Sequence, residues 1–89
     1  MKLYMVHVGY YDASMGEGIY ESHINYFVAG RNAKEAKQKV KMMKEFINKA
    51  MHIDGIKEIA GVEGYEVKLI ETSSQEQGEI FSYDESSDL

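Results

Sequence analysis

The apolar spacing of residues 33–50 constrains the fold more than any other feature of this chain. Apolar residues recur there at alternating steps of three and four, the spacing of one buried stripe on an α-helix. The stripe comprises Ala33, Ala36, Val40, Met43, Ile47 and Ala50. Asn32 is a good N-cap, and Glu35 completes a variant of the capping box. The sequence therefore predicts one continuous amphipathic helix from residue 33 to residue 50.

Strand-like segments lie on both sides of this helix. Residues 2–8 form a compact apolar run, and residues 19–29 alternate so that Ile24, Tyr26 and Val28 share one face. The opposite face then carries His23, Asn25 and Phe27. After the helix we expect strands at residues 53–60, bent or bulged near Gly55, and at 65–70, with a tight turn at 62–64. The prediction is an α+β fold of order strand-strand-helix-strand-strand, with a mixed four-stranded sheet and one amphipathic helix packed on one face, grasp-like or roll-like.

Length and composition set the domain organisation. The chain has 89 residues and a net charge of −5, with no cysteine. We expect a single α+β domain over residues 1–72 and an acidic, mostly flexible tail over residues 73–89. The lack of cysteine excludes disulfides and thiolate chemistry. No apolar run approaches the length of about 20 residues that crosses a bilayer, and no secretion signal is recognisable, so we expect a cytoplasmic protein without membrane contacts.

Several short segments resemble one known family. They are residues 2–9, 21–23 leading into 26–29, 33–37, 52–55 and 62–65. Together, in consistent order over about residues 2–70, they resemble the small bacterial family called domain of unknown function 1543. Some members of that family look like two copies of the unit in one chain, which implies that a single-copy chain pairs with itself. The resemblance supports the fold and brings no known activity.

Histidines and carboxylates on the predicted strands are the only candidates for a metal site. Glu21-x-His23 and His52-x-Asp54 each direct two side chains to one strand face, and His7 lies on the first strand. A zinc site usually has tighter helical or paired-cysteine spacing, so the sequence favours histidines that are hydrogen-bonded or solvent-exposed. We therefore predict no metal and no organic cofactor. A shielded general base is not recognisable either, which favours a non-catalytic role and leaves a small ligand- or metal-binding enzyme domain built on these residues as a third alternative.

The predicted helix also carries a stripe of lysines. Four of them recur at helical spacing, namely Lys34, Lys37, Lys41 and Lys44. Such a stripe suits phosphate backbones, and nucleic-acid binding with the acidic tail as an internal competitor is the alternative function. No arginine cluster or stacking aromatic accompanies the lysines, so the sequence favours a solvated face that keeps the helix soluble.

Met42 and Phe46 lie far from the centre of the apolar stripe on a continuous helix. One sheet cannot easily cover both sets, and burial of each side chain against another surface yields roughly 1.5–3 kcal/mol. We therefore predict that the chain is a small interaction module that self-associates as a homodimer through Met42 and Phe46, with Phe81 and Tyr83 of the tail as further contacts.

Overall fold

The computed structural model describes residues 1–12 and 19–72 of the chain. Strands β1 (Lys2–Tyr11), β2 (Glu21–Gly30) and β3 (His52–Glu58) form a sheet of order β2-β1-β3. β1 is the central strand and pairs antiparallel with both neighbours. The predicted α+β class is confirmed. The predicted mixed, four-stranded sheet is wrong, because this sheet has three strands and is antiparallel throughout.

The segment expected to be the fourth strand forms a separate hairpin. β4 (Gly61–Val62) pairs with β5 (Tyr65–Glu66), and the predicted turn between them is confirmed. Glu63 and Gly64 both have positive φ, 51° and 86°, as a two-residue type I′ turn requires. Pairing stops after two residues, and Ile70 is 86% exposed. Apolar and charged residues alternate over residues 65–70, but this segment does not bury its apolar side chains against a sheet.

The core lies between one face of the sheet and the helical segment. Alternation along β1 directs Tyr4, Val6 and Val8 to this face, where all three are buried. Val40 and Met51 complete the buried cluster. The predicted division of β2 is also confirmed, because its exposed and partly buried residues alternate, with Ile24, Tyr26 and Val28 on the partly buried side.

The predicted continuous helix is broken. Helix α1 (Ala33–Lys41) has Met42 as its C-cap, and α2 (Lys44–Asn48) begins after Met43, whose ψ of 137° is extended. The break turns Phe46 towards the core, whereas Ile47 is 64% exposed. A phenyl ring brings a large apolar area into the core, so tertiary packing prevails over the local apolar period. The expectation of one continuous helix with two apolar faces was therefore wrong.

Specific hydrogen bonds fix the helix ends. The predicted N-cap is confirmed, since the Asn32 side chain accepts a hydrogen bond from the Glu35 amide at 2.9 Å. At the end of α2, the Met51 amide donates to the Phe46 carbonyl at 3.0 Å and the Ala50 amide to that of Ile47 at 3.2 Å. These two bonds form a Schellman motif. Ala50 has a φ of 47°, in the left-handed region that favours glycine.

A tyrosine ties α2 to the sheet. The Tyr26 hydroxyl donates a hydrogen bond to Glu45 Oε2 at 2.8 Å. Burial, with the neighbouring Glu45 carboxylate, raises the pKa of Tyr26 to about 12. The same hydrogen bond, followed by that from Lys49, lowers the pKa of Glu45. Within the described ranges, neither helix has the length and apolar character to span a bilayer.

Candidate metal centre

The face of the sheet opposite the helices carries the polar candidates. On β1, His7 and Gly9 alternate with the buried valines and so point away from the core. Gly9 pairs with His23 on β2 and with His52 on β3. The central glycine is therefore flanked by a histidine on each side.

A β-bulge brings an aspartate beside His52. His7 pairs with Gly55 and Val8 pairs with Ile53, which leaves Asp54 as an extra residue in β3. The sequence predicted an irregularity near Gly55, and the structure has it one residue earlier. A bulge redirects side chains locally, so His52 and Asp54 both reach the space above Gly9.

Four side chains meet in this space, and we call them the imidazole–carboxylate cluster: Glu21, His23, His52 and Asp54. The His52 Nε2 atom lies 2.7 Å from Glu21 Oε1 and 3.1 Å from Asp54 Oδ1. The His23 Nε2 atom lies 3.2 Å from the same Glu21 oxygen and 3.1 Å from Asp54 Oδ2. Each imidazole thus contacts both carboxylates, and each carboxylate contacts both imidazoles.

Gly9 provides the room for this convergence. A Cβ atom at this position would contact Glu21 Oε1 and would lie 2.6 Å from Asp54 Oδ2 and 2.7 Å from His52 Nε2. These separations are shorter than real Cβ contacts allow, so a side chain at residue 9 would force the cluster apart. Glycine within a strand often marks such a close approach, a signal that the sequence interpretation did not use.

His7 belongs to the surroundings of the cluster rather than to the cluster itself. Its ring stacks on that of His23, with centroids 4.8 Å apart and planes within 4°. The His7 Nδ1 atom is 2.7 Å from Asn25 Oδ1. This hydrogen bond joins β1 to β2 on the outer face and holds the His7 ring in place. Of the five candidates named from the sequence, the structure therefore brings four together, and the fifth, His7, stacks on His23 from the side.

The cluster is accessible from solvent and offers ligand atoms at metal-binding spacing. Its side chains are between 28% and 44% exposed. One ligand atom each from Glu21, His52 and Asp54 lie within 4.8 Å of one another, and His23 Nε2 is in contact with both carboxylates. Two imidazole nitrogens with two carboxylates form a donor set that zinc and other first-row transition metals accept.

The other predicted site residues lie on the helical side. Lys34, Lys37 and Lys41 are on α1, whereas Lys44 starts α2 beyond the break. The four lysines therefore do not share one helix face, contrary to the expectation, because α1 ends at Lys41. Nucleic-acid binding stays a prediction.

The two apolar residues proposed as a contact surface separate. Met42 is 79% exposed, but Phe46 packs against the core of its own chain. The geometric reason for pairing them was therefore wrong, because the chain turns between them. Phe81, Tyr83 and the rest of the predicted tail at residues 73–89 lie outside the described residues.

Comparison with known proteins identifies the family. No curated protein and no solved structure matches the chain. The family described as Domain of Unknown Function (DUF1543) matches residues 19–69, more than half of the chain. The matched range runs from before β2 to beyond β5 and contains all four cluster residues. The chain therefore belongs to the family of the domain of unknown function 1543.

Proposed function

We propose that the protein binds a divalent transition-metal ion at the imidazole–carboxylate cluster. The observation that carries this proposal is the convergence of two imidazole Nε2 atoms and two carboxylates above Gly9, at contacts of 2.7–3.2 Å. The four side chains lie on β2 and β3, which flank Gly9 of β1, so the ligands are held by the sheet rather than by a loop.

The spacing of the ligand atoms suits a small ion. Atoms that coordinate a tetrahedral zinc ion at about 2.0–2.2 Å lie about 3.4 Å from each other. The contacts in the cluster are a few tenths of an ångström shorter than this. A modest outward movement of side-chain ends would therefore open the cluster to an ion, and the partly exposed side chains have room for it.

Charge balance supports the same conclusion. With both histidines neutral, the two carboxylates give the cluster a formal charge of −2, which a divalent cation neutralises. Among the described residues, no lysine or arginine forms an ion pair with Glu21 or Asp54. Without an ion, the cluster depends on protonated imidazoles or on single N–H groups shared between two carboxylates.

The test is a titration of metal-free protein with Zn²⁺ and Co²⁺. We expect one ion per chain by calorimetry, and intense visible absorption bands of Co²⁺ that report nitrogen and oxygen coordination. His52→Asn removes a ligand and should weaken binding by more than about a hundredfold, since even outer-shell changes cost about 10- to 100-fold. Phe27→Asn is the control, because it introduces the same side chain at an exposed position on the same face of β2, away from the cluster.

The outcomes are distinct. Stoichiometric binding that is lost in His52→Asn and kept in Phe27→Asn supports the site. Absence of binding by folded wild-type protein, or equal weakening in both variants, refutes it. Circular dichroism of each variant separates loss of ligands from loss of fold.

Self-association is a second candidate function, and exposed apolar side chains around the helix break favour it. Met42 is 79% exposed and Ile47 is 64% exposed. A two-fold dimer that uses this surface twice would cover both. We expect light scattering to give a dimer mass that Met42→Asp reduces to that of a monomer. A strict monomer at high concentration would refute this proposal and leave the metal proposal unaffected.

A further inference from the structure

A cavity of about 420 Å³ lies on the helical side of the molecule, between α1, α2 and the start of β3. It is lined by Phe46, Met51, Ile53, His52, Lys37 and Lys41. Its volume is near the lower end of the range for small-molecule pockets. The first three lining residues belong to the core or pack against it, so the cavity has an apolar floor.

Two ammonium groups that border this floor have no partner among residues 1–12 and 19–72. Lys37 and Lys41 lie one turn apart on α1, yet neither forms an ion pair or hydrogen bond within the described part of the chain. Lys34 and Lys44 also have no ion pair or hydrogen bond among the described residues, but they lie outside the cavity, whereas Lys39 and Lys49 have partners. Lys39 donates to the Ala29 carbonyl at 2.6 Å, and Lys49 lies 3.3 Å from Glu45.

The helix itself does not account for both lysines. A cation in the last turn is favoured by the helix dipole, which explains Lys41. Lys37 lies in the middle of α1, where the helix dipole gives no such stabilisation, and its side chain is half-buried. Like charges four residues apart also repel each other. No carboxylate lines the cavity to offset these charges.

We propose that this cavity binds a small amphiphilic anion, with its acid group between Lys37 and Lys41 and its hydrocarbon body against Phe46, Met51 and Ile53. Charge complementarity selects the head group, since two ammonium donors with no competing acid match a carboxylate or phosphate. The apolar floor selects a ligand with a hydrocarbon body rather than a bare inorganic anion. His52 lines this cavity and is also a member of the proposed metal centre, so octanoate binding is measured with a chelator present to keep the two kinds of binding apart.

The experiment is a titration of the full chain with octanoate in the presence of a chelator, followed by methionine methyl NMR. We expect a saturable shift of the Met51 methyl signal and none for Met5, which lies on the opposite face. Acetate lacks the hydrocarbon body and octylamine reverses the charge, so both should bind at least about tenfold more weakly.

Matched lysine variants decide the role of the head-group contacts. Loss of one charge-assisted hydrogen bond weakens binding about tenfold, so Lys37→Ala and Lys41→Ala together should weaken it about a hundredfold. Lys34→Ala with Lys44→Ala removes the same charge outside the cavity and should leave binding unchanged.

Three results would overturn the proposal: no shift of Met51, equal binding of octylamine, or equal losses in the two double variants. A single-stranded oligonucleotide that shifts Met51 and depends equally on all four lysines would also overturn it in favour of nucleic-acid binding. Chemical shifts of the remaining methyl groups verify that each variant is folded.

Discussion

Replacing Gly9 by alanine should abolish tight metal binding while preserving the fold. A Cβ atom at residue 9 would lie 2.6 Å from Asp54 Oδ2 and 2.7 Å from His52 Nε2, whereas ordinary contacts start at 3.4 Å. These ligand atoms must therefore move by at least about 0.8 and 0.7 Å, well beyond the tolerance of about 0.2 Å in metal–ligand distances. We expect the affinity for Zn²⁺ to fall by at least about a hundredfold.

The fold should survive because all the obstructing atoms are ends of side chains that can rotate towards solvent. Gly55→Ala is the matched control on the neighbouring strand, since its Cβ would meet only the Cβ of His7, at 4.0 Å. The assay is calorimetric titration with Zn²⁺, with urea unfolding in parallel. A Gly9→Ala protein that binds Zn²⁺ as tightly as wild type would falsify the account of Gly9 as the floor of the cluster. Equal weakening by Gly55→Ala would refute its specificity.

Three further predictions concern stability and pH. Ala50→Gly should raise the free energy of unfolding by about 1 kcal/mol in urea titrations, because residue 50 has a left-handed conformation that costs alanine about that much; an unchanged midpoint would contradict this. The pKa of Tyr26 is raised from 10.0 to about 12, so its contribution to stability is complete below pH 10.0 and is lost as pH rises towards 12; unfolding of Tyr26→Phe should lack this part of the alkaline decline. Val40→Ala should cost about 2 kcal/mol because Val40 is fully buried, and a loss within 0.5 kcal/mol would indicate that the core closes over the space.

Local patterns predicted the parts of the fold that depend on few neighbours. Alternation assigned the faces of β2 correctly, because successive side chains in a strand point to opposite faces wherever the strand lies in the sheet. Asn32 caps α1 and residues 62–64 contain a turn, because both depend on hydrogen bonds and dihedral angles within a few residues. The α+β class could be predicted from the order of these elements.

Patterns misled where distant packing decides. Phe46 reaches the core only because the chain turns at Met42 and Met43, and no proline or glycine marks that turn. Residues 65–70 alternate as a sheet strand does, yet only two of them pair. In both regions, the spacing of apolar residues along the chain does not determine which part of the protein packs against them.

The candidate metal centre was visible in the sequence only as separate residues. The spacing of Glu21 with His23 and of His52 with Asp54 put each pair on a strand face, but their meeting depends on β1 lying between β2 and β3. Side-chain alternation does not determine strand order. The role of Gly9 likewise requires knowledge of which side chains approach it from the neighbouring strands.

Because β1 is the central strand, the same strand contributes to the hydrophobic core on one face and to the candidate metal centre on the other. Its even-numbered residues Tyr4, Val6 and Val8 are buried in the core, and its odd-numbered residues His7 and Gly9 contact the imidazole–carboxylate cluster on the opposite face. An insertion or deletion of one residue in this strand would exchange the two sets, sending an imidazole inward and a valine outward. We therefore expect an insertion or deletion within β1 to disrupt both folding and metal binding. A single substitution such as Gly9→Ala can instead abolish metal binding while it preserves the fold.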